Sequence, residues 1–126
     1  MILVRVPTHP QFDYNECEKL FNQCKEDLGT DETLSDVIKN SDFYSFYDSD
    51  NKTLVGCIYY YMIGKRLLVN VFATRGHAEL NLACFKESLK WYTTDVYAKA
   101  LHLTTKIGLH KCGFKRLKGN LYKYRR

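Results

Sequence analysis

No apolar run in this chain approaches the roughly 20 residues a helix needs to cross a bilayer, which excludes a membrane-spanning helix. The opening MILVRVPTHP is too short and strand-like for a signal peptide. The five cysteines (Cys17, Cys24, Cys57, Cys84 and Cys112) include no Cys-x-x-Cys pair and no Cys/His cluster at zinc spacing. Reduced thiols in a cytoplasmic protein, with no metal, are therefore expected. Cys84 and Cys112 lack the histidine–acid partners that a cysteine nucleophile needs. No linker, internal repeat or low-complexity tract interrupts the chain. At 126 residues it is expected to form one domain spanning residues 1–126. After Asp95 there is no carboxylate side chain at all.

That last absence is part of a wider division. The formal charge of +5 combines a balance of −7 over residues 1–50, from eleven Asp/Glu against four Lys/Arg, with +12 over residues 51–126, from three against fifteen. The asymmetry predicts either an anionic partner for the basic half (a nucleotide, nucleic acid or an acidic protein surface) or simple packing of acidic helices beside it. The basic tail, Lys115, Arg116, Lys118, Lys123, Arg125 and Arg126, offers a phosphate-binding surface or a solvated face.

The apolar periodicity orders the elements. Ile2–Val6 reads as a strand ended by Pro7 and Pro10. Asp13 with Glu16 forms a capping-box pattern ahead of Cys17, Leu20, Phe21, Cys24 and Leu28 at helical spacing, and Gly29 suits a left-handed C-terminal residue. A second helix is expected from near Asp31, with Leu34, Val37 and Ile38 as its buried stripe. From Asp42 the period changes to that of strands: Phe43–Tyr47, a turn at Asp48–Asn51, Thr53–Ile63, a turn at Gly64–Arg66, then Leu67–Ala73. A three-stranded antiparallel meander follows, covered on both faces. Leu82, Phe85, Leu89 and Tyr92 then mark a helix, and Val96–Leu101 a short strand parallel to Leu67–Ala73. A last helix spans about Leu103–Lys111 up to Gly113, and Leu117–Tyr124 reads as one final strand with Tyr122 and Tyr124 on one face.

Strand, glycine-containing turn and helix N-terminus, in that order over Leu67–Trp91, make a candidate anion site. The first N–H groups of a helix have no internal partner, and the helix dipole adds positive potential there. Arg75, Gly76, His77, Ala78, Glu79 and Leu80 are its candidate residues. The run Tyr59-Tyr60-Tyr61 could line a substrate groove or stack bases, though adjacent strand tyrosines usually face opposite sides.

The segment His110-Lys111-Cys112-Gly113-Phe114-Lys115 resembles the Y-x-K-x-G-F ending of the GNAT acyl-CoA N-acyltransferases. The element order β-α-α-β-β-β-α-β-α-β is similar to that family's along residues 1–124. The resemblance implies an α/β fold with a mixed sheet, two splayed central parallel strands and acyl-CoA in the gap between them. It also implies a pyrophosphate held at Arg75–Leu80, which aligns with the family's Q/R-x-x-G-x-G/A turn. Ala78 stands at the first glycine of that turn and Leu80 at the second small residue. Leu109 stands where the family has its tyrosine general acid, and His102 where many members carry an asparagine. Histidine exchanges protons near neutrality, so His102 is the candidate catalytic residue, ahead of His110.

The expected function is acetyl-CoA-dependent N-acetyl transfer to an amine, with an atypical site. The sequence also resembles small phage-encoded GNAT-like proteins, some of them linked to head assembly. That likeness implies the alternative of an inactive assembly or binding component in the host cytoplasm. A nucleic-acid-directed enzyme on the same fold is a third reading, which the basic half alone supports.

Overall fold

The computed structural model describes residues 2–50 and 52–126. Its elements run β1 (Ile2–Arg5), α1 (Tyr14–Leu28), α2 (Leu34–Lys39), β2 (Asp42–Asp48), β3 (Thr53–Ile63), β4 (Arg66–Ala73), α3 (Ala78–Leu89), β5 (Val96–Lys99), α4 (Leu103–Lys111), β6 (Lys115–Lys118) and β7 (Leu121–Tyr124). The fold is α/β, with seven strands in one mixed sheet of order β1-β2-β3-β4-β5-β7-β6. The turn expected at Asp48–Asn51 includes Asn51, which lies outside the described residues.

Local chemistry explains the helix ends. The Asp13 carboxylate accepts from the Glu16 amide at the start of α1, and Gly29 closes that helix at φ 66°, a left-handed conformation that glycine adopts without strain. A complete capping box sits instead on α2, where Thr33 and Asp36 bond each other's backbone amides. That helix therefore begins at Leu34, three residues later than expected from Asp31. The Gly113-Phe114 pair has a plain structural cause. Gly113 (φ 95°) turns the chain after α4, and Phe114 is wholly buried, its ring 5.6 Å from Phe85 and 5.4 Å from Tyr124.

The meander packs on both faces because its two sides bury different sets. Val55, Ile58, Tyr60, Leu67 and Val69 join Cys84, Phe85, Leu89, Leu109 and Phe114 under α3 and α4. Cys57, Tyr59 and Phe72 join Cys17, Leu20, Phe21, Leu34 and Val37 under α1 and α2. A bulge keeps these sets separate. Phe46 pairs with Gly56 and Tyr47 with Leu54, so Val55 is the extra residue and the alternation of faces resets there.

Two expectations are corrected. The C-terminal segment forms not one strand but a hairpin, β6–β7, because Gly119 at φ 54° turns the chain. Likewise β5 stops at Lys99 rather than Leu101, and the Ala100 amide donates to the Asn120 carbonyl outside the ladder. Much of the basic tail is also engaged internally. Lys123 pairs with Asp95 at 3.4 Å, Arg116 donates to the Gly119 carbonyl, and Arg126 donates to the Leu89 carbonyl at the end of α3. Among the described residues, no helix is long and apolar enough to cross a membrane.

Candidate active site

The site follows from one feature of the sheet. β4 and β5 run parallel but pair at only two positions, Leu67 with Val96 and Leu68 with Tyr97. Beyond them the strands part, leaving Val69–Ala73 without a ladder partner on the β5 side. A cavity of about 990 Å³ occupies the gap, lined by Val69–Ala73 of β4 and by Ala98, Lys99 and Leu101 along and just beyond β5. The cavity passes through the sheet. One limb meets Asn81, Leu82, Phe85, Gly108 and Leu109 on the α3–α4 face, and the other meets Val37, Tyr59, Tyr61 and Asn70 on the α1–α2 face.

The turn into α3 stands at one end of this gap. The His77 amide donates to the Thr74 carbonyl at 3.2 Å, closing a four-residue turn with Gly76 third at φ 85°, where a β-carbon would be strained. Five of the six expected anion-site residues, Gly76, His77, Ala78, Glu79 and Leu80, line one open depression there together with Ala83. Arg75 is exposed on the same turn but does not line the depression. His77 is the N-cap of α3 yet makes no side-chain cap bond, because its Nδ1 lies 2.8 Å from the Thr74 hydroxyl. The first helical bond to the cap is Asn81 N–H to the His77 carbonyl, so the amides of Ala78, Glu79 and Leu80 precede the helical ladder. Leu80 is less of an obstacle than its bulk implies, since it is half-buried against the α3–α4 core.

The proton-handling candidates are placed differently. Leu109 is buried in the core and lines the cavity as hydrocarbon, unable to donate or accept a proton. His102 is not at the end of a strand but at the N-cap of α4, about half-exposed, with Nε2 3.3 Å from Oδ1 of Asp27 on α1. It does not itself line the cavity, although Asp27 and Leu101 do. His110 is exposed on α4 and does not line the cavity either.

Sequence reading missed two residues, Asn81 and Asn70. Asn81 is 4% exposed and lines the cavity, and its Oδ1 has no hydrogen-bond partner among the described residues. An orphaned buried oxygen is costly unless something else satisfies it. The spacing Asn81, Phe85, Ser88 on the buried stripe was the available signal. Asn70 lies beside Tyr59 and Tyr61, the two members of the tyrosine run that do line the cavity. Tyr59 pairs across the ladder with Asn70, whose Nδ2 donates to the Tyr59 hydroxyl at 2.8 Å. Burial pushes the Tyr59 phenol up to about 12, and burial also raises Tyr61, with Asn70 opposing the shift in both. Tyr60, between them, points to the opposite face and bonds the Ser88 hydroxyl at 2.6 Å. The alternation of strand side chains thus divides the tyrosine run between cavity and core.

No protein-family model matches the chain, and no curated protein matches it in sequence. Solved structures do match in fold. An N-acetyltransferase from Staphylococcus aureus Mu50 superposes with a TM-score of 0.78 at 17% identity, covering 99% of this chain and 97% of that one. A GNAT family acetyltransferase from Elizabethkingia anophelis with acetyl-CoA bound gives 0.67 at 12%, covering 99% and 98%. The PaiA N-acetyltransferase from Thermoplasma acidophilum in complex with coenzyme A gives 0.58 at 13%, covering 100% and 99%. The fold is therefore that of the GNAT acetyltransferases. At these identities the likeness establishes the fold and nothing finer.

Proposed function

We propose that this chain binds acetyl-CoA in the gap between β4 and β5 and transfers its acetyl group to an amine. The observation carrying the proposal is the parting of β4 from β5 after two pairs, over a cavity that opens at the uncapped first turn of α3. Unpaired strand backbone along Val69–Ala73 can bond the amides of an extended pantetheine arm. The amides of Ala78, Glu79 and Leu80, with the exposed Arg75, suit a pyrophosphate. Asn81 lines the same cavity, with its partnerless oxygen buried against Gly56 of β3. These features fit acetyl-CoA, with Ala78 and Leu80 replacing the usual small residues of the turn.

The thioester supplies an activated acyl carbon, whose bond to sulfur breaks as its bond to the amine nitrogen forms. The chain's own part is to orient the amine and take its proton. We assign that proton to His102, which stands just outside the lining, next to Leu101 and paired at 3.3 Å with Asp27, both of which line the cavity. His102→Ala is expected to lower kcat/KM at least about tenfold, against a typical general-base contribution of about 10²–10⁴. His110→Ala should change it little. Unchanged turnover in His102→Ala would return the proton to solvent.

Calorimetric titration with acetyl-CoA, followed by a free-thiol release assay with added amines, tests the reading. Arg75→Ala should weaken acetyl-CoA binding by about threefold to tenfold, and the difference should shrink as salt rises, because the contact is exposed. Equal affinity of the two proteins at low salt would remove Arg75 from the site. Leu109 in place of a proton donor favours a second reading, a GNAT-fold binding or assembly component without catalysis. Absence of acetyl-CoA binding would select that one.

A further inference from the structure

The two limbs of the cavity differ in chemistry. Lys99 and Lys111 line it from β5 and α4, with Glu79 of α3 as the one carboxylate beside them, whereas Asp27 and Glu32 line it from α1 and the segment that follows. The division of charge along the sequence therefore recurs across a single cavity. One side suits a polyanion and the other a cation.

On the α1–α2 side the two carboxylates are not equivalent. Asp27 is engaged with His102. Glu32 forms no ion pair among the described residues, and its backbone is anchored by the Glu32 N–H bond to the Thr30 hydroxyl at 3.1 Å. Glu32 lines the same cavity as Tyr59 and Tyr61, and its charge adds to the burial that raises both phenols. Those rings lie 5.8 Å apart at an interplanar angle of 31°, with Tyr59 held by Asn70. The wall continues on the same face in Ile63, 57% exposed although apolar. On this side Glu32 is the one lining carboxylate outside an ion pair among the described residues, beside aromatic and aliphatic surface. Glu79, the other, lines the cavity from the first turn of α3 on the opposite face of the sheet. The Glu32 side suits one ammonium on an apolar body, with the cation also attracted to the faces of the rings.

We infer that the acceptor is a monoamine with an aromatic or alkyl body, of the arylalkylamine type, its ammonium on Glu32 and its body against Tyr61 and Ile63. The inference rests on the acetyltransferase reading for the reaction, but the binding it requires can be measured alone.

The test uses phenethylamine, spermidine and a short lysine-containing peptide. Each is titrated into the full chain by calorimetry, with and without saturating coenzyme A. Phenethylamine is expected to bind more tightly than the other two. Glu32→Gln should weaken it at least about tenfold, and Tyr61→Ala at least about threefold. Coenzyme A should bind both variants as it binds the unmodified chain, which shows that they remain folded. Tighter binding of spermidine or the peptide overturns the inference. So does unchanged phenethylamine affinity in Glu32→Gln, or no phenethylamine binding by a chain that binds coenzyme A. A chain that binds phenethylamine through Glu32 but not coenzyme A upholds the amine site and overturns the acetyltransferase reading instead.

Discussion

Gly56→Ala is expected to destabilise the fold by about 3 kcal/mol, at the upper end of what overpacking usually costs, and to lower the melting temperature by roughly 10 °C. Gly56 lies in β3 opposite Ala73 of β4 and Phe46 of β2, beside the bulge at Val55. A β-carbon built there meets Asn81 Oδ1 at 2.3 Å, Asn81 Cγ at 2.8 Å and the Phe72 carbonyl oxygen at 2.7 Å. The asparagine could turn aside, but the carbonyl belongs to the backbone of β4 and cannot move without shifting that strand. Adding Asn81→Ala to Gly56→Ala should therefore recover only part of the loss. Thermal and denaturant unfolding of the two single variants and the double variant measure this directly. A Gly56→Ala loss below about 1 kcal/mol would mean that α3 does not sit this close to β3. The consequence reaches the site, because the spacing that excludes a methyl group also sets where the first turn of α3 stands over the gap.

This close approach illustrates what the sequence does and does not disclose. Gly56 sits inside an apolar run, TLVGCIYYYMI, where period and composition already demand a strand. Nothing local indicates that its missing side chain makes room for Asn81, 25 positions later. The strands, the helix stripes and the parallel relation of β4 to β5 were legible because each follows from local periodicity or from a crossover helix. The β6–β7 hairpin was not, since Lys115–Tyr124 carries a single weak turn signal, Gly119-Asn120, within an otherwise strand-like segment.

The anion-site residues were legible for a similar reason. Gly76 to Leu80 are contiguous, so finding the turn found the depression they line. On the acceptor side the tyrosine run was legible as a candidate groove lining, but its neighbours were hidden because they come from far apart. Glu32 follows α1, Tyr59 and Tyr61 lie on β3, and Asn70 lies on β4. Only the register Tyr59 with Asn70 brings the last three together. His102 shows a similar limit. It stands at the N-cap of α4 outside the cavity lining, and its 3.3 Å contact with Asp27 requires knowing that the end of α1 reaches the start of α4.

The proposed cofactor gap makes its own demand on α4. Gly108→Phe should abolish acetyl-CoA binding, weakening it at least about a hundredfold, or about 2.8 kcal/mol, while leaving the fold intact. Gly108 is half-buried in the interior of α4 and lines the cavity between that helix and Leu82 of α3. A β-carbon placed on it meets only Leu82 Cδ1, at 3.8 Å, which is ordinary contact. The position is thus sterically open where Gly56 is closed. Because glycine in a helix interior costs roughly 0.5–1 kcal/mol relative to alanine, Gly108→Ala should raise the melting temperature slightly. The pair of variants separates stability from occupancy: alanine adds helix propensity with little bulk, and phenylalanine projects a ring into the gap. Calorimetric titration of acetyl-CoA into each, with melting curves alongside, decides the matter. Retained affinity in a well-folded Gly108→Phe protein would mean that the ligand does not lie between β4 and β5, and the acetyltransferase reading would lose the observation that carries it.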